Sequence, residues 1–427
     1  MTLLYRFRSF SRNARLFLAA ILFVGLALAL NTLFLNFYLQ ALGFSQQFIG
    51  LVNAIPTAAL MVVGIPVGRL IDRQGPRWGL IVGTAAAALG SMIVALGAAG
   101  SVIVGGAFVL GIGSAFGFIS GAPFLMAHST ERNRVALFSA QAALVTATGF
   151  LGNLAGGWLP RLFSAWLRAT PGALAPLRGT MIVVAAMWVA SIVPLAAVRE
   201  RATSPSPAPT RTEGAPWSPA APVGDGTAPA RRRFVSQPGL VARLLLPSLL
   251  ISLGAGQTLP FLNIYISGKF GVDYASLGTL FAVGALGTTV ATLAQPGLAE
   301  RVGRIQSVLA VQIASLPFLL ALGFAPVFWM VAASFVVRIA LMNMGNPVYQ
   351  AFAQEQIPPG ERATFSSLSS VAWSLGWSAG AAFSGWWRGR VGFAAGFDAV
   401  FGLMTVLYTA AIALIYVFFI RRRGVYT

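Results

Sequence analysis

Arg338 is the charge that lies deepest in an apolar stretch of this 427-residue chain, about halfway along residues 327–351. A guanidinium at mid-membrane depth is costly and faces either the protein interior or a wet cavity. Its fork of donors could grip an anionic or hydroxyl-rich ligand, or it could hold the carbonyls of a bent helix. At ~100° per residue, Ser334, Met342, Gly345 and Tyr349 share its face. No interior carboxylate is available to pair with it. The ten acids are Asp72, Glu131, Glu200, Glu213, Asp225, Asp273, Glu300, Glu355, Glu361 and Asp398, and all fall in loops or at the ends of apolar runs. The chain has no cysteine, one lysine (Lys269) and one histidine (His128). A nucleophile with a base, or a metal cluster, is therefore missing from the interior, and neither an enzyme nor a cofactor is expected. His128 alone would titrate near neutrality unperturbed. It reads as the cap of a helix end or as a proton carrier.

Amides and phenols gather in two other stretches. Asn31, Asn36 and Tyr38 stand in Asn-Thr-Leu-Phe-Leu-Asn-Phe-Tyr; Gln257, Asn263 and Tyr265 stand in Gln-Thr-Leu-Pro-Phe-Leu-Asn-Ile-Tyr. With one residue inserted, the second repeats the first. These side chains could line a cavity, or bond between helices as amides in membranes often do. Trp373 and Trp377, at i and i+4, could face Phe118 as an aromatic wall or pack toward lipid.

The elements that must position these residues are helical membrane spans. The sequence is 57% hydrophobic and 9% charged, which excludes a soluble globular protein. Twelve runs of spanning length are predicted. They cover 16–39, 48–70, 78–96, 102–126, 135–159 and 179–198, then 240–266, 275–298, 305–324, 327–351, 365–387 and 397–420. The net charge of +19 does not mark a nucleic-acid binder, because the arginines sit in short loops between apolar runs. Of the 29 Lys and Arg, 22 lie on the side of the N-terminus and six on the other. Both termini are thus expected in the cytoplasm. Residues 1–15 form a basic lead, 16–198 and 240–420 two six-helix bundles, and 421–427 a tail. Residues 199–239, rich in Pro, Ala and Ser, read as a disordered linker. Its cluster Arg231–Arg233 is topogenic or touches anionic lipid.

One stretch ties the halves to a known pattern. Residues 68–80 read Gly-Arg-Leu-Ile-Asp-Arg-Gln-Gly-Pro-Arg-Trp-Gly-Leu. Gly68 would let helices approach, Asp72 would cap the next helix or pair with an arginine, Gly75 would permit the reversal, and Arg73 and Arg77 would fix the loop in the cytoplasm. A weaker copy holds Gly297, Glu300, Arg301, Gly303 and Arg304, and Gly121-Ala-Pro123 matches Gly345-Asn-Pro347. The pattern resembles the cytoplasmic loop between helices 2 and 3 of major facilitator superfamily transporters, and the resemblance covers nearly the whole chain. Residues 149–157, with Gly149, Gly152, Gly156 and Gly157, resemble the span-5 motif of the superfamily's antiporters, except that its Gly-Pro is here Gly152-Asn153.

The resemblance implies an all-α fold of two pseudo-symmetric bundles and alternating-access transport of a small solute across the cytoplasmic membrane. The substrate site would lie between the bundles at mid-membrane, with Arg338, Asn31, Asn36, Tyr38, Gln257, Asn263, Tyr265 and Tyr349 as candidates. The two motif loops would latch one state. A small organic anion or amphipathic metabolite, moved by facilitation or exchange, is the preferred cargo; proton-linked drug or sugar efflux is the alternative, and a non-transporting receptor a third. The protein is expected to act as a monomer.

Overall fold

The computed structural model describes residues 10–130, 133–199, 236–358 and 361–421. They form helices joined by short turns. Span 1 is Arg12–Ala41, span 2 Gln46–Gln74, span 3 Pro76–Leu96 and span 4 Gly100–Ala127. Span 5 is Arg134–Gly156, continued by the short helix Leu159–Leu167; span 6 is Leu174–Ala196. Span 7 runs Pro238–Thr258, turns through Leu259–Phe261 and resumes at Leu262–Phe270. Span 8 is Tyr274–Val302, span 9 Arg304–Phe324, span 10 Phe328–Met344 with Asn346–Glu355, span 11 Arg362–Val391 and span 12 Phe393–Phe419. Among the described residues, eleven elements are long and apolar enough to cross a membrane. Span 11 is kept out of that count by its serines. Most of the expected linker, with Arg231–Arg233, lies outside the described residues, as do Arg6, Arg8, Glu131, Glu200, Glu213, Asp225 and the tail after Arg421.

The two halves are built alike, down to single hydrogen bonds. Tyr38 of span 1 donates its hydroxyl to the Ala95 carbonyl at 2.7 Å. Tyr265 of span 7 donates to the carbonyls of Leu322, at 3.1 Å, and Gly323. Ala95, Leu322 and Gly323 stand in the last turns of spans 3 and 9, where a helix leaves its carbonyls without partners. Each tyrosine thus bolts the first span of its half to the third. The paired turns also agree. Gly75 has φ 88 and ψ 156, and Gly303 has φ 94 and ψ 153. Only glycine adopts this region without strain. The expected motif loops shrink to these single residues: positions 68–74 and 297–302 belong to the ends of spans 2 and 8.

Packing distinguishes the two ends of the molecule. The largest apolar core runs through both halves, joining Phe34 and Tyr38 to Phe261 and Tyr265. At the end bearing the termini the core is split. Phe17, Phe124 and Leu137 close the first half there, and Ile305, Phe352 and Ile415 the second.

Replacing Tyr38 or Tyr265 by Phe removes a buried donor and takes it from the Ala95 or the Leu322 carbonyl, while the Gly323 carbonyl keeps the Lys269 Nζ at 3.1 Å. Each change is expected to cost about 1 kcal/mol, and the two to add because they lie in different halves. Thermal melts of the single and double variants in one detergent check this; a melting point unmoved by either would contradict the bolt.

Candidate functional site

A cavity lies between the halves, and its two walls differ. The wall from the second half is polar: Ser248, Gln312, Tyr349, Gln350, Ser370 and Ser374 line a space of about 510 Å³ with Trp373. The wall from the first half is mostly apolar: Ile21, Val24, Leu28, Gly117, Gly121 and Val145 line an adjoining space of about 600 Å³, with Thr84, Ser114 and Gln141 as the polar side chains among them. Leu60 and Phe118 belong to both linings. No Arg, Lys, Asp or Glu is among the residues lining either space.

The end away from the termini is sealed by helices in near-backbone contact. Span 2 crosses span 11 at Gly50, where a Cβ would stand 2.7 Å from the Ala381 carbonyl oxygen and from the Gly385 Cα. Span 8 crosses span 5 at Gly278, where a Cβ would stand 2.3 Å from the Asn153 carbonyl oxygen. The crossings are equivalent. Each glycine lies five residues after an N-cap, Ser45 or Asp273, that accepts the amide of the third residue on. Small residues are what lets membrane helices approach this closely. Gly157 of the glycine-rich stretch joins the second crossing, against Tyr274 and Ala275.

Polar contacts reinforce the seal. Asn36 donates to the Asn263 Oδ1 at 2.9 Å and to the Pro260 carbonyl, while Asn263 donates to the Leu33 carbonyl at 2.8 Å. Pro260 and Leu33 each stand three residues before the asparagine of their own span, so the two amides form a reciprocal clasp. Asn53 donates to the Asn36 Oδ1 at 2.8 Å. Arg388 is buried, with its guanidinium 4.1 Å from the Phe261 ring centroid and 4.7 Å from that of Phe397. It also donates to the Gln46 Oε1 at 2.8 Å, joining span 11 to span 2. At the end of the molecule away from the termini, Arg161 pairs with Asp273, the N-cap of span 8. The Ser276 hydrogen bonds and the Arg161 charge hold the Asp273 carboxyl below the usual range.

Several expected site residues stand elsewhere. Arg338 is 3% exposed and turns into the second half, toward span 12. Its guanidinium lies 5.2 Å from the Tyr408 ring centroid and 3.8 Å from the Met404 Sδ. A cavity-facing guanidinium is therefore corrected: the charge rests against an aromatic face and a thioether, and Arg338 is not among the residues lining the cavity. Tyr38 and Tyr265 are the bolts described above, and Asn36 and Asn263 form the clasp. Gln257 is buried, and its amide has no partner among the described residues. Asn31 lines a separate small chamber. Tyr349 does line the cavity, and its hydroxyl donates to the Leu244 carbonyl at 2.7 Å. Trp373 lies on the cavity wall, 6.4 Å from Trp377 between ring centroids. His128 caps span 4: its ring stacks on Phe124 and its Nδ1 lies 2.9 Å from the Phe124 carbonyl.

The motif residues lie at the open end, apart from one another. Asp72, Arg73, Glu300 and Arg301 are exposed, and Arg77 is half-buried. Asp72 makes no side-chain hydrogen bond or ion pair among the described residues, and span 3 starts without a side-chain cap. The expected capping or pairing by Asp72 is absent from this arrangement. Gly68 has nothing within 4 Å of where its Cβ would be, so the close approach expected there is not made. Arg304 pairs with Glu355 of span 10, inside its own half. Sequence reasoning missed Gln46, Asn53, Gln312, Arg388 and the serines. The serines did carry a signal: Ser366, Ser370 and Ser374 recur every fourth residue, a polar stripe on a membrane helix.

The sequence matches the profile of the Major Facilitator Superfamily over residues 16–381 and 244–426. A search of the curated proteins finds no match. Among solved structures, a bacterial homologue of the human lysosomal transporter Spinster, inward-facing and occupied, has a TM-score of 0.72 at 15% identity, covering 95% of each chain. The nucleoside transporter NupG has 0.68 at 13%, covering 95% of this chain and 99% of its own. A bacterial homologue of the iron transporter ferroportin, inward-facing, has 0.67 at 14%, covering 97% and 98%. At these identities the likeness is one of fold.

The clasp makes a prediction of its own. Asn36→Ala removes two cross-half hydrogen bonds and strands the Asn53 donor, a loss of about 1–3 kcal/mol from the sealed arrangement. The cysteine-free chain permits spin labels at Leu162→Cys and Trp329→Cys, exposed sites in opposite halves near the seal. Asn36→Ala is expected to add a population at longer distance; an unchanged distribution would contradict the clasp.

Proposed function

Because the chain belongs to the Major Facilitator Superfamily, and is thus a multi-pass membrane transporter, we propose that it moves a small, uncharged, amphipathic solute by alternating access. The uncharged two-walled cavity carries this reading. Amides and hydroxyls on the second half suit a hydroxyl- or amide-bearing head group, and the first half, mostly hydrocarbon with Gln141, Ser114 and Thr84 as its polar side chains there, suits the remainder of the molecule. An anionic cargo loses its support with Arg338, which shelters inside the second half rather than facing the cavity. Proton-linked efflux is not favoured either: the cavity linings hold no carboxylate, and His128 is engaged at a helix end.

In this proposal both termini face the cytoplasm, so the arrangement seen here is open inward and sealed outward. The halves rock about the seal, as parallel six-helix repeats do around a site at their interface. The two motif turns form the opposing latch, disengaged here. Asp72 and Glu300 find their partners when the cytoplasmic end closes. The process is facilitation or exchange.

Counterflow in proteoliposomes tests the reading with three panels of matched size: uncharged hydroxylated amphipaths, organic anions and organic cations. Uptake is expected from the uncharged panel alone. Gln312→Ala should weaken it about tenfold by removing a buried polar contact. Asp72→Asn should slow flux with binding unchanged. Stimulation by anions alone would overturn the proposed cargo, and unchanged flux in Asp72→Asn would remove the latch.

A further inference from the structure

Inside the first half, away from the central cavity, spans 1 to 4 enclose a chamber of about 110 Å³. Its wall includes Asn31, Val52, Asn53, Pro56 and Ser91. The remaining lining residues, Leu35, Val94, Ala107 and Leu110, are apolar. A dry chamber of this kind would not carry two amides and a hydroxyl.

The polar groups offer several oxygens without a hydrogen-bond donor. Both N–H groups of Asn53 are spent, one on the Asn36 Oδ1 at 2.8 Å and one on the Ile49 carbonyl at 2.9 Å. Its Oδ1 has no partner among the described residues. Pro56 lacks an N–H, so the Val52 carbonyl four residues before it loses the bond a helix would give it. The Ser91 hydroxyl is buried and has no partner. Asn31 carries an amide oxygen beside its NH2 group, and its side chain makes no hydrogen bond among the described residues. Residues bearing four neutral oxygens thus line one small enclosure.

We propose that this chamber is a sodium-ion site. Neutral amide, hydroxyl and carbonyl oxygens suit a hard monovalent cation, and interrupted helices supply such carbonyls in other transporters. A divalent ion would call for carboxylates to offset its charge, and none lines the chamber. The volume admits the ion with about one or two waters to complete its shell. The site touches the seal through one residue. A cation at the Asn53 Oδ1 polarises that amide and strengthens the N–H it gives to Asn36, which holds Asn263. Sodium then favours the sealed arrangement, and breaking the seal weakens sodium binding by the same factor.

The test is thermal stability of the purified full chain at constant ionic strength, with sodium exchanged for potassium or choline. A ligand of the folded state raises the melting point. The expected result is a saturable rise specific to sodium. Ser91→Ala removes one oxygen, and Pro56→Ala returns an N–H to the Val52 carbonyl; each should raise the half-saturating concentration roughly tenfold or more. Two results would overturn the proposal. An equal response of the parent to sodium, potassium and choline makes the chamber a water site. Retention of the full sodium response by both variants places the ion elsewhere. The readout is binding, so it does not depend on which solute is carried.

Discussion

Two asparagines that hold each other across the halves set the geometry of the whole molecule. Asn36 and Asn263 occupy equivalent positions, and each donates to the carbonyl three residues before the other. Such reciprocity is possible only if both residues stand near the axis relating the halves. The break in span 7 at Leu259–Phe261 serves this contact, because it brings the Pro260 carbonyl within reach of Asn36. Around the clasp the two glycine crossings bring the backbones together, and the apolar core becomes continuous across the halves. With one end drawn together, rigid helices must diverge at the other, where the core is split and the cavity lies.

Charge is handled with economy in the membrane. Arg388 spends its guanidinium on two aromatic faces, the Ser384 carbonyl and Gln46, so that one residue bridges spans 7, 11 and 12 and reaches span 2. Arg338 rests against Tyr408 and Met404. Neither has a carboxylate partner among the described residues. Aromatic faces and a thioether stabilise a desolvated guanidinium without adding a second buried charge. The cavity is left uncharged on both sides.

Much of this was legible in the sequence, and the misreadings share a cause. Apolar runs and arginine placement marked twelve spans, and the repeat at Asn36/Asn263 and Tyr38/Tyr265 marked equivalent positions. Repetition, however, reports equivalence and not direction. It could not say that the asparagines meet on the axis while the tyrosines turn inward to spans 3 and 9. Depth was likewise legible for Arg338, but a search for a carboxylate partner is blind to Met404 and Tyr408, which look like ordinary core. The apolar run ends near 387, short of Arg388, whereas the helix continues to Val391. The motif turns were expected as loops for the same reason: charged residues end an apolar run before they end a helix. The serine stripe of span 11 is hard to distinguish in the sequence because single serines are common in membrane helices.

The central claim is that opening the sealed end is an obligatory step. A side chain at Gly389 of span 11 would place its Cβ 3.6 Å from the Gln47 Cβ of span 2, within the ~3.5–4.5 Å span of a disulfide. The direct measurement is solute flux by Gln47→Cys/Gly389→Cys in proteoliposomes, oxidised and then reduced. The account predicts that the cross-link forms readily, that flux falls to background when it does, and that reduction restores it. Parental flux through the cross-linked protein would contradict it.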